Sequence, residues 1–123
     1  MDLTKPGLHD AADGLLLDDP AAVAECLEFF LDESRGYWHN RARAMIARRL
    51  KHCSTTVDQR SSAIDCILNR LETGNFSEQF RDQLRLALHW NRHGVMAAAR
   101  GLVANSPKPH VRRFAEWIVR RHP

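Results

Sequence analysis

No stretch of this chain approaches the ~20 consecutive apolar residues that a membrane-spanning helix needs. The longest run is Val95–Ala99, so no membrane partner is expected. Cysteine is scarce. Cys26, Cys53 and Cys66 are odd in number and follow no disulfide or zinc spacing, which favours a reducing compartment. The opening Met-Asp-Leu-Thr-Lys-Pro lacks the basic n-region and long apolar core of a secretory signal. A cytoplasmic location is expected. Missing too are a glycine-rich phosphate loop, a pair of catalytic carboxylates and a nucleophile elbow. The chain is therefore expected to be non-enzymatic, with no cofactor.

Positive charge is nearly absent from the first 34 residues. They carry nine of the fifteen acids (Asp2, Asp10, Asp13, Asp18, Asp19, Glu25, Glu28, Asp32, Glu33) and only Lys5 as a base. The remaining residues carry seventeen Lys and Arg against six acids, so a net charge of +3 conceals a segment at −8 and another at +11. Such sorting governs partners and association more than fold. At 123 residues with 44% apolar and 27% charged residues, the chain has the size and composition of one soluble domain. Residues 1–123 are expected to form a single all-helical domain, with 1–18 a loosely ordered N-terminal segment carrying a short helix.

Alternation with period 2 is missing, whereas helical periodicity recurs from end to end. Leu8, Ala11, Ala12, Leu15 and Leu16 suggest a first short helix, weakened by Gly14. A second follows Asp19 as N-cap and Pro20 at the first helical position. Val23, Ala24, Leu27, Phe30 and Leu31 form its apolar stripe, opposite Glu25, Glu28 and Asp32, and Gly36 ends it. The next spans Tyr37 to Lys51, with Trp38, Ala42, Met45, Ile46 and Leu50 inward. Another begins near Thr55 or Thr56 and stops before Gly74, burying Val57, Ala63, Ile64, Ile67, Leu68 and Leu71.

Ser77 should cap a helix with Phe80, Leu84, Ala87 and Leu88 on one side and Leu86 and Trp90 on another, packed from two directions. A further helix from Gly94 to Ala104 presents Ala97, Ala98 and Gly101 as a surface open to close approach, with Asn105 a left-handed terminator. The last runs from Pro109 to Arg121 and buries Val111, Phe114, Ala115 and Ile118. The fold class is all-α: six or seven short antiparallel helices, stacked as a right-handed array or closed as a compact bundle.

Arg41-x-x-Ala44, Arg60-x-x-Ala63 and Arg112-x-x-Ala115 share a phrase, with Arg81-x-x-Leu84 a looser copy. The segment Ser106-Pro107-Lys108-Pro109-His110-Val111-Arg112-Arg113-Phe114-Ala115 resembles the start of the second helix of a HEAT repeat, and paired helices would give units of about 40 residues. Residues 93–107 are similar to tetratricopeptide helices as well. The HEAT resemblance implies a scaffold that binds proteins or, less often, nucleic acid.

For chemistry, His89 and His93 stand four apart and could share a metal on a continuous helix. A junction at His93-Gly94 and the lack of a third ligand favour solvated turn histidines, so no metal is expected. His52-Cys53 resembles half of a thiol–imidazole pair, but neighbours in sequence point different ways on a helix. Cys26 and Cys66 read as buried small hydrophobes, and Ser54-Thr55-Thr56 as a capping segment.

The basic residues carry more. Arg112, Arg113 and Arg120 occupy about a quarter of the last helix's circumference, interrupted by Glu116, with Trp117 at the edge. Arg41, Arg48 and Lys51 form a comparable strip. An aromatic flanked by arginines suits docking of an acidic protein or of nucleic acid. The expected partner is a protein with an acidic surface, with nucleic acid the alternative. Self-association through the acidic and basic ends is a third expectation, with the Glu25, Glu28 and Asp32 face lying along a basic strip of a neighbouring helix or a second copy.

Overall fold

A computed structural model describes residues 5–33 and 38–121. Among them are six α-helices and no strand: α1 (Lys5–Leu15), α2 (Pro20–Leu31), α3 (His39–Leu50), α4 (Val57–Thr73), α5 (Arg81–Asn105, preceded by a 3-10 turn, Glu78–Phe80) and α6 (Pro109–Arg121). No helix is long and apolar enough to cross a membrane among these residues.

Local chemistry accounts for three helix boundaries. Asp19 accepts a hydrogen bond from the Ala21 N–H at 3.2 Å and Pro20 opens α2. A capping box starts α4: the Thr56 hydroxyl accepts from the Gln59 N–H, and the Gln59 side chain accepts from the Thr56 N–H. Gly74 stops that helix at φ 77°. A Cβ there would meet the His110 ring and lie 3.3 Å from Val111, so this glycine serves both a left-handed turn and the seating of α6. Gly14 sits within α1 because α2 passes close: a Cβ there would stand 2.6 Å from the Ala22 Cβ.

The two helices read between residues 77 and 104 are one element with a break. Asn91 has φ −151° and ψ 73°, and its side-chain oxygen accepts from the Gly94 N–H at 3.0 Å, capping the second half of α5. The N-terminal half buries Leu84, Leu86, Ala87 and Leu88; the C-terminal half buries Val95, Met96 and Ala99. Helix α5 packs against α3, α4 and α6 and so occupies the centre. Beyond it α6 buries Val111, Phe114, Ala115 and Ile118. At the other side α1 packs on α2 and α3, inserting Leu8, Ala11, Ala12 and Leu15 into the core.

Several expectations fail for local reasons. Leu16 and Val57 are 66% and 71% exposed, because one lies past the last turn of α1 and the other opens α4. Ala24 and Leu31 also face solvent, while Phe29 is buried. Ala97 and Gly101 are exposed, and nothing lies within 4 Å of a Cβ built at Gly101, so no helix among the described residues packs closely on Gly101. Ser77 makes no side-chain cap. Asn105 is the last helical residue, and Ser106 leaves the helix in extended geometry rather than through a left-handed terminator. Gly36 and Tyr37, assigned to helix ends by sequence, lie outside the described residues.

Two buried arginines close the C-terminus of α2. Arg43 donates to the Asp32 carbonyl at 2.6 Å, and Arg70 to the Phe30 and Asp32 carbonyls at 2.6 and 3.3 Å. Arg70 also binds the Glu33 carboxylate at 3.0 Å and the Gln83 side-chain oxygen at 2.9 Å. Unpaired carbonyls at a helix end carry partial negative charge, and two guanidinium groups answer it. Burial and the neighbouring Arg70 charge together hold the Arg43 pKa below its usual value. The acidic N-terminal part is thus tied to the basic remainder through Glu33–Arg70 and through Asp13–Arg49 at 3.5 Å; no ion pair from Glu25 enters this network among the described residues.

Candidate functional site

The first turn of α6 is fixed before any of its outward residues is placed. Lys108 donates to the Thr73 carbonyl at 2.6 Å, and His110 Nε2 lies 3.3 Å from the Gly74 carbonyl oxygen. Arg112 folds back to donate to the Ser106 carbonyl at 2.7 Å. Below, Phe76 stacks on Phe80 with centroids 4.6 Å apart and leans on Phe114 at 4.7 Å. These contacts set the rotation of α6 about its axis.

That rotation brings the outward face of α6 against the start of α5. Arg81 and Arg85, one helical turn apart, lie over the Trp117 ring at 5.6 and 5.3 Å. Arg81 also covers Phe114 at 5.6 Å, and Arg113 lies 5.8 Å from the same ring. Guanidinium groups over aromatic faces are attracted by the ring quadrupole. Between the two helices runs a groove of about 260 Å³, lined by Arg81, Arg113, Phe114, Glu116, Trp117, Arg120 and Arg121. Phe114 is buried, Trp117 half-buried and the arginines exposed. Glu116 reaches Arg120 only at 3.9 Å, so the rim keeps a strong positive excess.

Of the residues singled out by sequence, Arg113, Trp117 and Arg120 meet in this groove. Arg112 does not line it, because its guanidinium is turned toward Ser106. The α3 strip divides. Arg48 binds Asp82 at 2.7 Å, and the other Asp82 oxygen binds Arg85 at 3.2 Å. Asp82 therefore clips the edge of α3 to the arginine that covers Trp117. Arg41 is exposed and Lys51 half-buried, and neither lines the groove. Arg81, Arg85 and Arg121 were missed. The i, i+4 spacing of Arg81 and Arg85 was a readable signal, but which helix they would face was not.

The remaining candidates separate from the groove. His89 and His93 are both exposed, with the Asn91 break between them. Among the described residues no group of three or more His, Cys, Asp and Glu is arranged to hold a metal ion. Cys53 Sγ lies 3.3 and 3.4 Å from the Leu15 and Arg49 carbonyl oxygens, and burial raises its pKa, as it does that of Cys66. Burial pushes the Cys26 thiol up to about 12. Raised thiols are weak nucleophiles at neutral pH.

Comparison with family models, with curated proteins and with solved structures gives no match to this chain.

Proposed function

We propose that this protein is a non-enzymatic helical interaction module whose α5–α6 groove receives an acidic segment of a protein partner. One observation carries the reading: a half-buried tryptophan, overlain by Arg81 and Arg85, in a groove whose rim bears three further arginines and one acid. Tryptophan and arginine are the residues most enriched at binding hot spots, where an apolar anchor sits beside desolvated charge. Carboxylates entering the groove would meet guanidinium forks suited to paired hydrogen bonds.

One feature favours protein over nucleic acid. The Trp117 ring already carries two guanidinium groups, which compete with the base stacking that single strands use.

A repeat relationship between α3–α4 and α5–α6 belongs to the same proposal. Arg60 and Arg112 each stand at the fourth position of their helix, and each donates back to a loop carbonyl, Thr55 or Ser106. Ala63 and Ala115, three residues on, are both fully buried. This shared start supports α4 and α6 as the second helices of two related pairs.

The test is capture of partners on the immobilised chain, followed by a salt titration against random duplex DNA and RNA as competitors. Retention of an acidic protein, lost on Trp117→Ala and not displaced by nucleic acid, is expected. Tighter and more steeply salt-dependent binding to the nucleic acids would replace this reading with the alternative.

A further inference from the structure

Two leucines stand in water in a turn between helices that do not touch α6. Leu16 and Leu17, in the turn between α1 and α2, are 66% and 83% exposed. The turn is not a loose loop. The Leu16 and Leu17 N–H groups donate to Asp13 and Gly14, and those of Asp18 and Asp19 to Leu15 and Gly14, all at 3.1 Å. Asp18 has φ 53°, the left-handed region that a side chain disfavours. Its carboxylate holds this geometry by accepting from the Ser54 N–H and hydroxyl, each at 2.7 Å. These bonds draw its pKa below the usual carboxylate value.

A strained, doubly tied turn that aims two leucines outward is pre-organised, so its docking would forfeit little conformational freedom. Around the leucines stand acids. The Asp13 side chain is 74% exposed, with Arg49 at 3.5 Å on one side of it, and Asp19 is exposed as well. The tip is thus apolar at its centre and negative at its edge. The α5–α6 groove is the inverse, with the half-buried Trp117 inside, Phe114 buried beneath it, and Arg81, Arg113 and Arg120 outweighing Glu116 around it. Its volume of about 260 Å³ has room for a leucyl side chain.

Within one molecule the two cannot meet. Among the described residues α1 packs only on α2 and α3, and α6 only on α4 and α5. We propose that the Leu16–Leu17 turn of one copy docks in the Trp117 groove of the next, giving a head-to-tail assembly. The proposal rests on the groove being a site for acidic protein segments and names a second copy of this chain as the occupant. Such a contact joins two different surfaces, so each added copy brings a free tip and a free groove, and assembly continues past the dimer as an open chain or a larger ring. Opposite charge at the two ends supplies orientation, and salt weakens it.

The experiment is sedimentation velocity of the full chain over a range of concentrations, at low and high salt. The average mass should rise from the 14.1 kDa monomer past the dimer as concentration increases, and fall back in high salt. A double variant, Leu16→Asp with Leu17→Asp, changes exposed positions only and should stay monomeric; Trp117→Ala should do the same. Mixed in equal amounts, the two retain one good groove and one good tip between them and should stop at the dimer. If Trp117→Ala proves misfolded by circular dichroism, the charge reversals Arg113→Glu and Arg120→Glu, at exposed positions, take its place.

A wild-type chain monomeric at every concentration overturns the proposal. So does a leucine variant that assembles like wild type, or a mixture that stays monomeric. Calorimetric titration of the leucine variant with a glutamate-rich peptide separates this from the underlying reading. Peptide binding by a chain that never self-associates removes the second copy and keeps the groove; no binding removes both.

Discussion

The Arg85 guanidinium lies over the Trp117 ring with its carbon 5.3 Å from the centroid. The same group is held from behind by Asp82, which Arg48 of α3 also grips. Three helices therefore fix one tryptophan face, and the arrangement leads to distinct expectations for variants on either side of it.

Removing the clip should strengthen binding rather than weaken the fold. Asp82 pairs with two arginines that are 55% and 44% exposed, and pairs in contact with water contribute about 0–1 kcal/mol. Asp82→Asn should leave the midpoint of urea unfolding nearly unchanged. With one acid gone from the basic surface, an acidic peptide should bind more tightly at low salt, and the gain should shrink at high salt. Unaltered affinity at low salt would argue that Asp82 is remote from the bound partner.

The buried arginine at the end of α2 carries structural weight. Arg70→Met removes the donor from the Phe30, Asp32 and Gln83 oxygens at once. Leaving buried acceptors unpaired costs about 1–3 kcal/mol each where water cannot replace the donor. Glu33 is half exposed, so its own charge can rehydrate. We expect a net loss of about 2–4 kcal/mol in urea unfolding, against about 0–1 kcal/mol for an exposed control such as Arg41→Met.

Gly74 links stability to the site. Gly74→Ala places a methyl at φ 77° and against His110, with an expected cost of about 1–3 kcal/mol. Because His110 and Lys108 seat α6 on the end of α4, the variant should also weaken binding at the groove. Full affinity in a destabilised variant would separate the α6 seat from the groove geometry.

Helix content and the apolar face of α6 were legible in the sequence because both follow from spacing and capping chemistry near in the chain. Asp19 with Pro20, the start near Thr55 or Thr56, and the set Val111, Phe114, Ala115 and Ile118 needed no distant information. Arg113, Trp117 and Arg120 were legible as one face for the same reason. Arg81 and Arg85 were not, since their role depends on how α5 and α6 rotate against each other around Phe76, Phe80 and Phe114. Arg112 was misplaced because periodicity gives the direction of a Cβ but not the path of a long side chain. Arg43 and Arg70 carry no local signal of burial, because the carbonyls they cap lie on a distant part of the chain.

Alkaline pH offers a check on the core. Desolvation holds the Cys26 thiol at about 12 in the folded chain, above its ordinary value of 9.0. A raised folded-state pKa means that the fold favours the protonated thiol. The stabilisation is complete below pH 9 and is lost as pH rises from there toward 12. Stability from urea titrations should decline over that window, and Cys26→Ala should decline less steeply. Equal slopes for the two chains would show that the thiol is not held neutral by burial.

Contact between Trp117 and an acidic protein segment is reported directly by the indole N–H of that residue. The measurement is a 1H–15N spectrum of the Leu16→Asp, Leu17→Asp chain during titration with a glutamate-rich, leucine-containing peptide. The Trp117 indole signal should shift and saturate, with the Trp38 and Trp90 signals nearly still and backbone changes confined to residues 81–85 and 113–121. An unmoved Trp117 signal, or saturation by RNA at lower concentration than by the peptide, would show that the groove is not a site for acidic protein segments.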